Sequence, residues 1–272
     1  MSKIVSVRDE AFNPKNAGRY ELTLLSGVKS CSCSVLDPEA GKYLLLESYD
    51  VPFPGESNLI EFLSLPWKTT RIIIESNAST LVPEPLFKPE QLSSFLSVTT
   101  ESTGNEPCFF NRLLIPEIYN VFSLPGEQVR LLENHFPLLP LYHISTALID
   151  GIWMNYKNHL TSLKIFLYLE ETDFYMVIFD KQQLLFLNSY HYLLPEDLIY
   201  YVIFVLEQLE INPEEVPMTL MGSITNDSPV FHLLYQYIRN LDFTEGNENY
   251  NNSEALKRLP FHIYFPLLNP IQ

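Results

Sequence analysis

Few residues in this chain have the type and spacing to support chemistry. Glu170, Glu171 and Asp173 stand within four positions of one another, which suits either a pair of working carboxylates or a polar hairpin tip. The six histidines, His135, His143, His159, His191, His232 and His262, show no pairing at metal-ligand spacing and read as scattered imidazoles. Cys31 and Cys33 alternate along one expected strand and so share a face, while Cys108 lies far away in sequence. With no C-x-x-C and no histidine at zinc spacing, all three read as buried apolar thiols. Neither a G-x-S-x-G elbow nor a P-loop is present. Hydrolysis by two metals needs several carboxylates at strand ends, and Asp180 and Asp197 do not make that layout. The clusters Tyr190-His191-Tyr192 and Tyr200-Tyr201 read as core or interface. No catalytic residue and no metal-ligand set is expected.

Composition narrows the function classes further. The 272 residues are 46% hydrophobic and 13% aromatic, enough for a large core in one or two domains. A formal net charge of −16 opposes binding to nucleic acid or anionic lipid, which depends on Lys and Arg displacing counterions. The opening MSKIVSVRDEAFNPKN lacks the apolar core of a signal peptide. The longest near-continuous apolar run, 198–206, is far short of the ~20 residues of a membrane span. The expectation is a cytoplasmic protein without membrane insertion.

The elements that must position any site follow from the pattern between residues 163 and 223. Apolar, β-branched and aromatic runs at 163–169, 174–179 and 184–190 are separated by two short polar stretches, as in tight hairpins. Pro195 then opens a helix that is apolar nearly all round, of the kind buried between layers or used against a partner. A further strand at 216–221 ends at Gly222. The first half repeats the order: strands at 20–28, 31–36 and 43–49, a helix at 57–65 capped by Ser57 or Asn58, and a strand at 69–75. Letter identity between the halves is poor, so the repeat is one of pattern, and a chance match of two β-meanders is the competing explanation. Residues 1 to about 18 read as a polar lead-in. Thr80 to Glu84 leads to a short helix near Pro89, with strands at 109–115 and 118–122 around Pro116. Helices are expected at 126–135 and, after the break at 137–140, at 145–156. Asp227-Ser228-Pro229 starts a helix to about Asn240, residues 242–252 read as loop, and 261–265 as a last short strand. The domain expectation is an N-terminal lobe over 1–159 with a possible inserted strand pair, and a C-terminal lobe over 160–272.

Three antiparallel strands, a helix and a parallel strand resemble the ribonuclease-H-like unit, and two in tandem resemble the actin-like superfamily. The phrases Ser79-Thr80-Leu81-Val82-Pro83-Glu84, Asn120-Val121-Phe122-Ser123-Leu124-Pro125 and Leu185-Phe186-Leu187-Asn188-Ser189 are similar to the DUF3822 family of uncharacterised Bacteroidetes proteins. The fold class implied is α/β, with two mixed five-stranded sheets in an actin-like ATPase architecture. The superfamily holds nucleotide phosphates with the turns between the first two strands of each unit, using glycines and an Asp. A pair of glycines before a later helix lies against the adenine. Here the first turn, 24–30, keeps Gly27 but has no Asp at the strand end. The second, 169–174, has no glycine and carries three carboxylates. The third motif keeps Gly222 and has Ser223 in place of the second glycine. Gly27, Gly222 and Ser223 are thus the expected remnants of a nucleotide cleft.

The resulting expectation is a non-catalytic actin-like pseudo-ATPase that serves as an interaction or assembly scaffold for a protein partner, with no cofactor. The alternative is an ATPase or kinase with a divergent phosphate site, which would use ATP and magnesium. A small-molecule sensor that uses the cleft between lobes is a third possibility.

Overall fold

The computed structural model describes residues 3–27, 29–53, 57–76, 78–99, 106–136, 140–247 and 250–269. Val28, Pro54, Pro137 and the side chains of Ser57 and Asn58, all part of the sequence expectations, lie outside the described residues. Contacts divide the chain into two compact units. One comprises Met1–Trp153, Asn247–Leu259 and Pro266–Gln272, the other Met154–Gly246 and Pro260–Phe265.

The first unit begins with strand β1 (Lys3–Arg8), then β2 (Glu21–Ser26), β3 (Cys31–Asp37), β4 (Lys42–Tyr49), helix α1 (Ser57–Leu63) and β5 (Thr69–Ile74). An insertion follows: β6 (Ser79–Pro83), α2 (Leu92–Thr99), β7 (Cys108–Arg112) and β8 (Ile118–Ser123). The unit then resumes with α3 (Gly126–His135), β9 (Leu141–His143) and α4 (Ile144–Tyr156), of which the residues from Met154 on fall in the second unit. The second unit contains β10 (Leu163–Leu169), β11 (Asp173–Asp180), β12 (Gln183–His191), α5 (Pro195–Gln208), β13 (Pro217–Gly222), α6 (Pro229–Tyr237) and β14 (Asn240–Phe243). A two-residue strand, β15 (Asn251–Asn252), belongs to the first unit.

The second sheet has the order β12-β11-β10-β13-β14, and the first contains β4-β3-β2-β5-β9 in the same relation. In both, the first three strands are antiparallel and the last two are added parallel. Parallel neighbours cannot be joined by a hairpin, so α1 and α5 are the crossovers that the pairing demands. The duplication extends to an irregularity. In β4 the pairing with β3 passes from Tyr43 to Leu45, leaving Leu44 extra. In β12 the pairing with β11 passes from Leu184 to Phe186, leaving Leu185 extra. The bulge thus stands at the same step from the hairpin in both units. This agreement removes the chance-match explanation of the sequence pattern.

Each sheet buries one face under its crossover helix. Leu22, Leu24, Cys33, Val35, Ile72 and Ile74 pack with Leu59 and Leu63 of α1 and Leu132 of α3. Ile165, Leu167, Met176, Ile178 and Leu220 pack with Leu198, Val202 and Leu206 of α5 and Leu234 of α6. Asp197 accepts the Leu193 and Leu194 N–H groups at 3.1 and 2.9 Å and so caps α5.

Several elements differ from the sequence expectations. The polar lead-in contains β1, whose alternation is short and whose pairing to β4 supplies the stability that sequence pattern alone does not show. Residues 79–83 form β6 as well as leading into the helical segment. The insertion is a three-stranded sheet, β6-β8-β7, covered by Leu96 of α2. Helix α6 ends at Tyr237, and the expected loop at 242–252 includes the end of β14 and all of β15. Residues Phe261–Tyr264 form a 3-10 turn and not a strand, because Pro260 and Pro266 bracket it and neither can donate to a ladder.

A buried polar network ties the small sheet to α4. Asn120 Nδ2 donates to Ser145 Oγ and Thr146 Oγ1, both at 2.8 Å, and Thr146 Oγ1 donates to Asn111 Oδ1 at 3.0 Å. His143 Nε2 faces the Ser76 carbonyl at 2.8 Å and must donate to it, so Nδ1 accepts from Ser145 Oγ at 2.6 Å. Burial holds this imidazole neutral, with its pKa lowered to about 4. Asp150, 2% exposed, accepts the Leu114 N–H at 2.9 Å, and burial pushes its carboxyl up to about 7. A carboxyl raised on folding stabilises the protein below its unfolded pKa and loses that contribution as pH rises through its folded value. Asp150→Asn keeps the acceptor and cannot ionise. Its stability relative to the native chain should therefore rise by about 2–3 kcal/mol between pH 5 and pH 8, read from urea unfolding at both values. A difference independent of pH would show that Asp150 does not titrate in this range. His143 titrates in both proteins and cancels from the comparison.

Candidate functional site

The positions expected to hold phosphate are the ends of the first strands and the turns that follow. In the second unit β10 ends at Leu169, opposite Gly222 of the parallel strand β13. Ser223 N–H donates to Leu169 O at 2.7 Å, which closes the ladder one step past the strand. Gly222 has φ +86°, and a Cβ there would lie 2.0 Å from Leu169 O and 2.8 Å from Leu169 N. Only glycine meets both demands. The structure therefore brings Gly222 and Ser223 together beside the 170–173 turn. Close packing of two backbones is sufficient reason for the glycine.

The turn itself is stitched internally. Glu170 N–H donates to Asp173 O at 2.8 Å, and Tyr192 N–H donates to Thr172 O at 2.8 Å. Tyr192 Oη donates to Glu170 O at 2.8 Å, anchoring the turn to the residue just past the end of β12. Asp173 accepts from Thr172 Oγ1 at 2.7 Å and faces His191 Nδ1 at 3.3 Å. Burial raises the Tyr192 pKa, and the charges of Asp173, Glu170 and Glu171 raise it further. The tip thus carries a negative field. Placing a phosphate charge 4 Å from each carboxylate costs about 1 kcal/mol per pair even in bulk water, and more where water is excluded.

In the first unit β2 ends at Ser26 opposite Ile74, and Glu75 N–H donates to Ser26 O at 3.3 Å. This is the counterpart of the Ser223 bond. Gly27 N–H donates to Ser30 O at 2.9 Å and closes the hairpin. A Cβ at Gly27 would stand 2.7 Å from Glu75 Oε2, so the Glu75 carboxylate lies against the glycine. Sequence pattern does not indicate this contact; the observed pairing sets Glu75 on the position that Ser223 holds in the second unit. Gly27 and the Gly222-Ser223 pair are in different units.

Among the described residues no other arrangement offers a better reaction centre. The His143–Ser145 contact has the atoms of an activated hydroxyl, but both residues are fully buried, so no substrate reaches them. Asp197 is occupied as a helix cap. Among the described residues no group of three or more His, Cys, Asp and Glu side chains is placed to hold a metal ion, and no helix is long and apolar enough to cross a membrane. His262 Nε2 lies 2.8 Å from Ile224 O and fixes the turn after Gly222, a support that sequence spacing did not reveal.

Comparison with known proteins assigns the fold. A family described as "Protein of unknown function (DUF3822)" matches over residues 9–241. A crystal structure from Bacteroides thetaiotaomicron VPI-5482, a protein with actin-like ATPase fold and unknown function, is similar with a TM-score of 0.72 and 22% identity. The match covers 86% of this chain and 93% of that one. The PilM-PilN type IV pilus biogenesis complex contains a chain with a TM-score of 0.59 and 13% identity, covering 91% and 96%. No curated protein matches. The fold is that of the actin-like ATPases, built from two ribonuclease-H-like units.

The two glycines should respond differently to a side chain. Gly222→Ala should lower unfolding stability by roughly 2–4 kcal/mol in urea, since φ is positive and the obstacle is backbone. Gly27→Ala displaces only the end of a flexible side chain and should cost under about 1 kcal/mol. Equal losses at both positions would contradict this account of the two turns.

Proposed function

The chain belongs to the DUF3822 family of proteins of unknown function, and from that premise we propose that it is a non-catalytic pseudo-ATPase serving as a protein-interaction or assembly scaffold. The observation that carries this reading is what the two turns present. Gly27 N–H and Glu170 N–H, the donors a phosphate would need, are spent on Ser30 and Asp173 within their own hairpins. Beside them stand the carboxylates of Glu75 in one unit and Glu170, Glu171 and Asp173 in the other. Phosphate-binding turns work by aiming unspent backbone N–H groups at an anion. These turns instead set carboxylates beside N–H groups that are already bonded.

Retention of Gly222 does not favour the active-ATPase alternative, because its contact with Leu169 accounts for it. A likeness of fold to a chain of the PilM-PilN type IV pilus biogenesis complex supports the scaffold reading. We place the protein in the cytoplasm on its sparse cysteines and acidic composition.

Thermal unfolding with Mg-ATP tests the proposal. A ligand at a hundred times its dissociation constant stabilises by about 2.7 kcal/mol. The melting temperature should be unchanged by millimolar Mg-ATP or Mg-ADP, and a clear upward shift would overturn the pseudo-ATPase reading.

A further inference from the structure

The two units differ at one sheet edge. In the first unit the outer edge of β4 is covered along its length. β1 lies antiparallel along residues 45–49, from Arg8 opposite Leu45 to Lys3 opposite Tyr49, and β15 pairs with Lys42 and Tyr43. The matching bulges at Leu44 and Leu185 equate residues 45–49 of β4 with 186–190 of β12. Among the described residues no strand pairs with the outer edge of β12.

Exposed edges are ordinarily protected by charge, proline or brevity. β12 is nine residues long, Gln-Leu-Leu-Phe-Leu-Asn-Ser-Tyr-His, with no Lys, Arg, Asp, Glu or Pro. Its one irregularity lies near the hairpin, leaving 186–190 regularly paired with β11. β1, by contrast, carries Lys3 and Arg8 at its ends. An aromatic ladder leads from the core of the second unit out through this edge. Phe174 stacks on Tyr190 at 5.3 Å, Tyr190 on Tyr201 at 4.8 Å, Tyr201 meets Tyr200 at 5.5 Å, and Tyr200 stacks on Phe204 at 6.2 Å. The ladder ends in solvent, with Tyr200 65% and Phe204 45% exposed. Leu193 and Leu194, at the start of the same helix, are exposed as well. Charges around the edge are mainly acidic: Asp173 and Asp180 at the two ends of β11, Glu196, Asp197 and Glu207 on α5, against Lys181 and the ring of His191.

We propose that the edge of β12 at 186–190, with Tyr200 and Phe204 of α5 beside it, receives an extended segment of a partner protein as an added antiparallel strand. That segment carries alternating apolar residues and basic ends, as β1 does at the equivalent edge. Backbone pairing supplies the ladder, the aromatic row takes the apolar side chains, and the acidic surround selects the basic ends. The proposal rests on the scaffold reading and gives it a surface.

The test uses the full chain and a synthetic peptide of the β1 sequence, Lys-Ile-Val-Ser-Val-Arg, at up to millimolar concentration. Amide hydrogen exchange should slow at 186–190. A peptide with both basic residues replaced by Glu should give no protection. The double variant Tyr200→Ser with Phe204→Ser should bind the basic peptide about tenfold more weakly, since aromatic anchors dominate such contacts, with its unfolding midpoint unchanged because both rings are exposed. Unchanged exchange at 186–190 with the basic peptide overturns the proposal. So does protection of 186–190 in the chain alone that grows with its concentration, which assigns the edge to a second copy. The Mg-ATP experiment decides the pseudo-ATPase reading independently, so the two failures are distinguishable.

Discussion

Parallel pairing of the first strand with the strand after the crossover helix is the constraint on which each unit depends. In the second unit it brings Gly222 against the Leu169 backbone so closely that a Cβ would overlap the carbonyl. The bond from Ser223 N–H to Leu169 O fixes where β13 stops, hence where the turn to α6 begins. The same pairing in the first unit sets Glu75 over Gly27. Each hairpin tip is thereby held beside the end of a parallel neighbour, at the carboxyl ends of the strands, where open α/β sheets place their ligands.

What stands at those ends gives the fold its different character here. A backbone N–H already bonded within its own turn is not available to an anion, and a carboxylate beside it opposes one. The two units reach this condition by different residues. One keeps its glycine and covers it with Glu75. The other has no glycine and closes the turn through Thr172, Asp173 and Tyr192. The family and the actin-like fold set the frame, and the residues at the strand ends carry the functional argument.

Much of this was legible in the sequence. The runs at 163–169, 174–179 and 184–190 are long and bounded by polar turns, and burial of β10 and β11 on both faces leaves them nearly continuous in hydrophobicity. Gly222 at a strand end also stood out. Elements whose stability comes only from neighbours did not: β1, β9, β14 and β15 have two to six residues each and form where an edge or a parallel neighbour is available. The 261–265 segment misled because its aromatic and β-branched residues fit a strand, while its flanking prolines prevent a ladder. At the candidate site, the acidic tip at 170–173 was visible as composition. The Glu75 contact was hidden, since it depends on register between strands some fifty positions apart.

As proposed, the protein retains this fold without its nucleotide chemistry. Calorimetric titration of the full chain with Mg-ATP tests this most directly. The account predicts heats no larger than dilution through the millimolar range. A saturable, one-site isotherm in the micromolar range would contradict it.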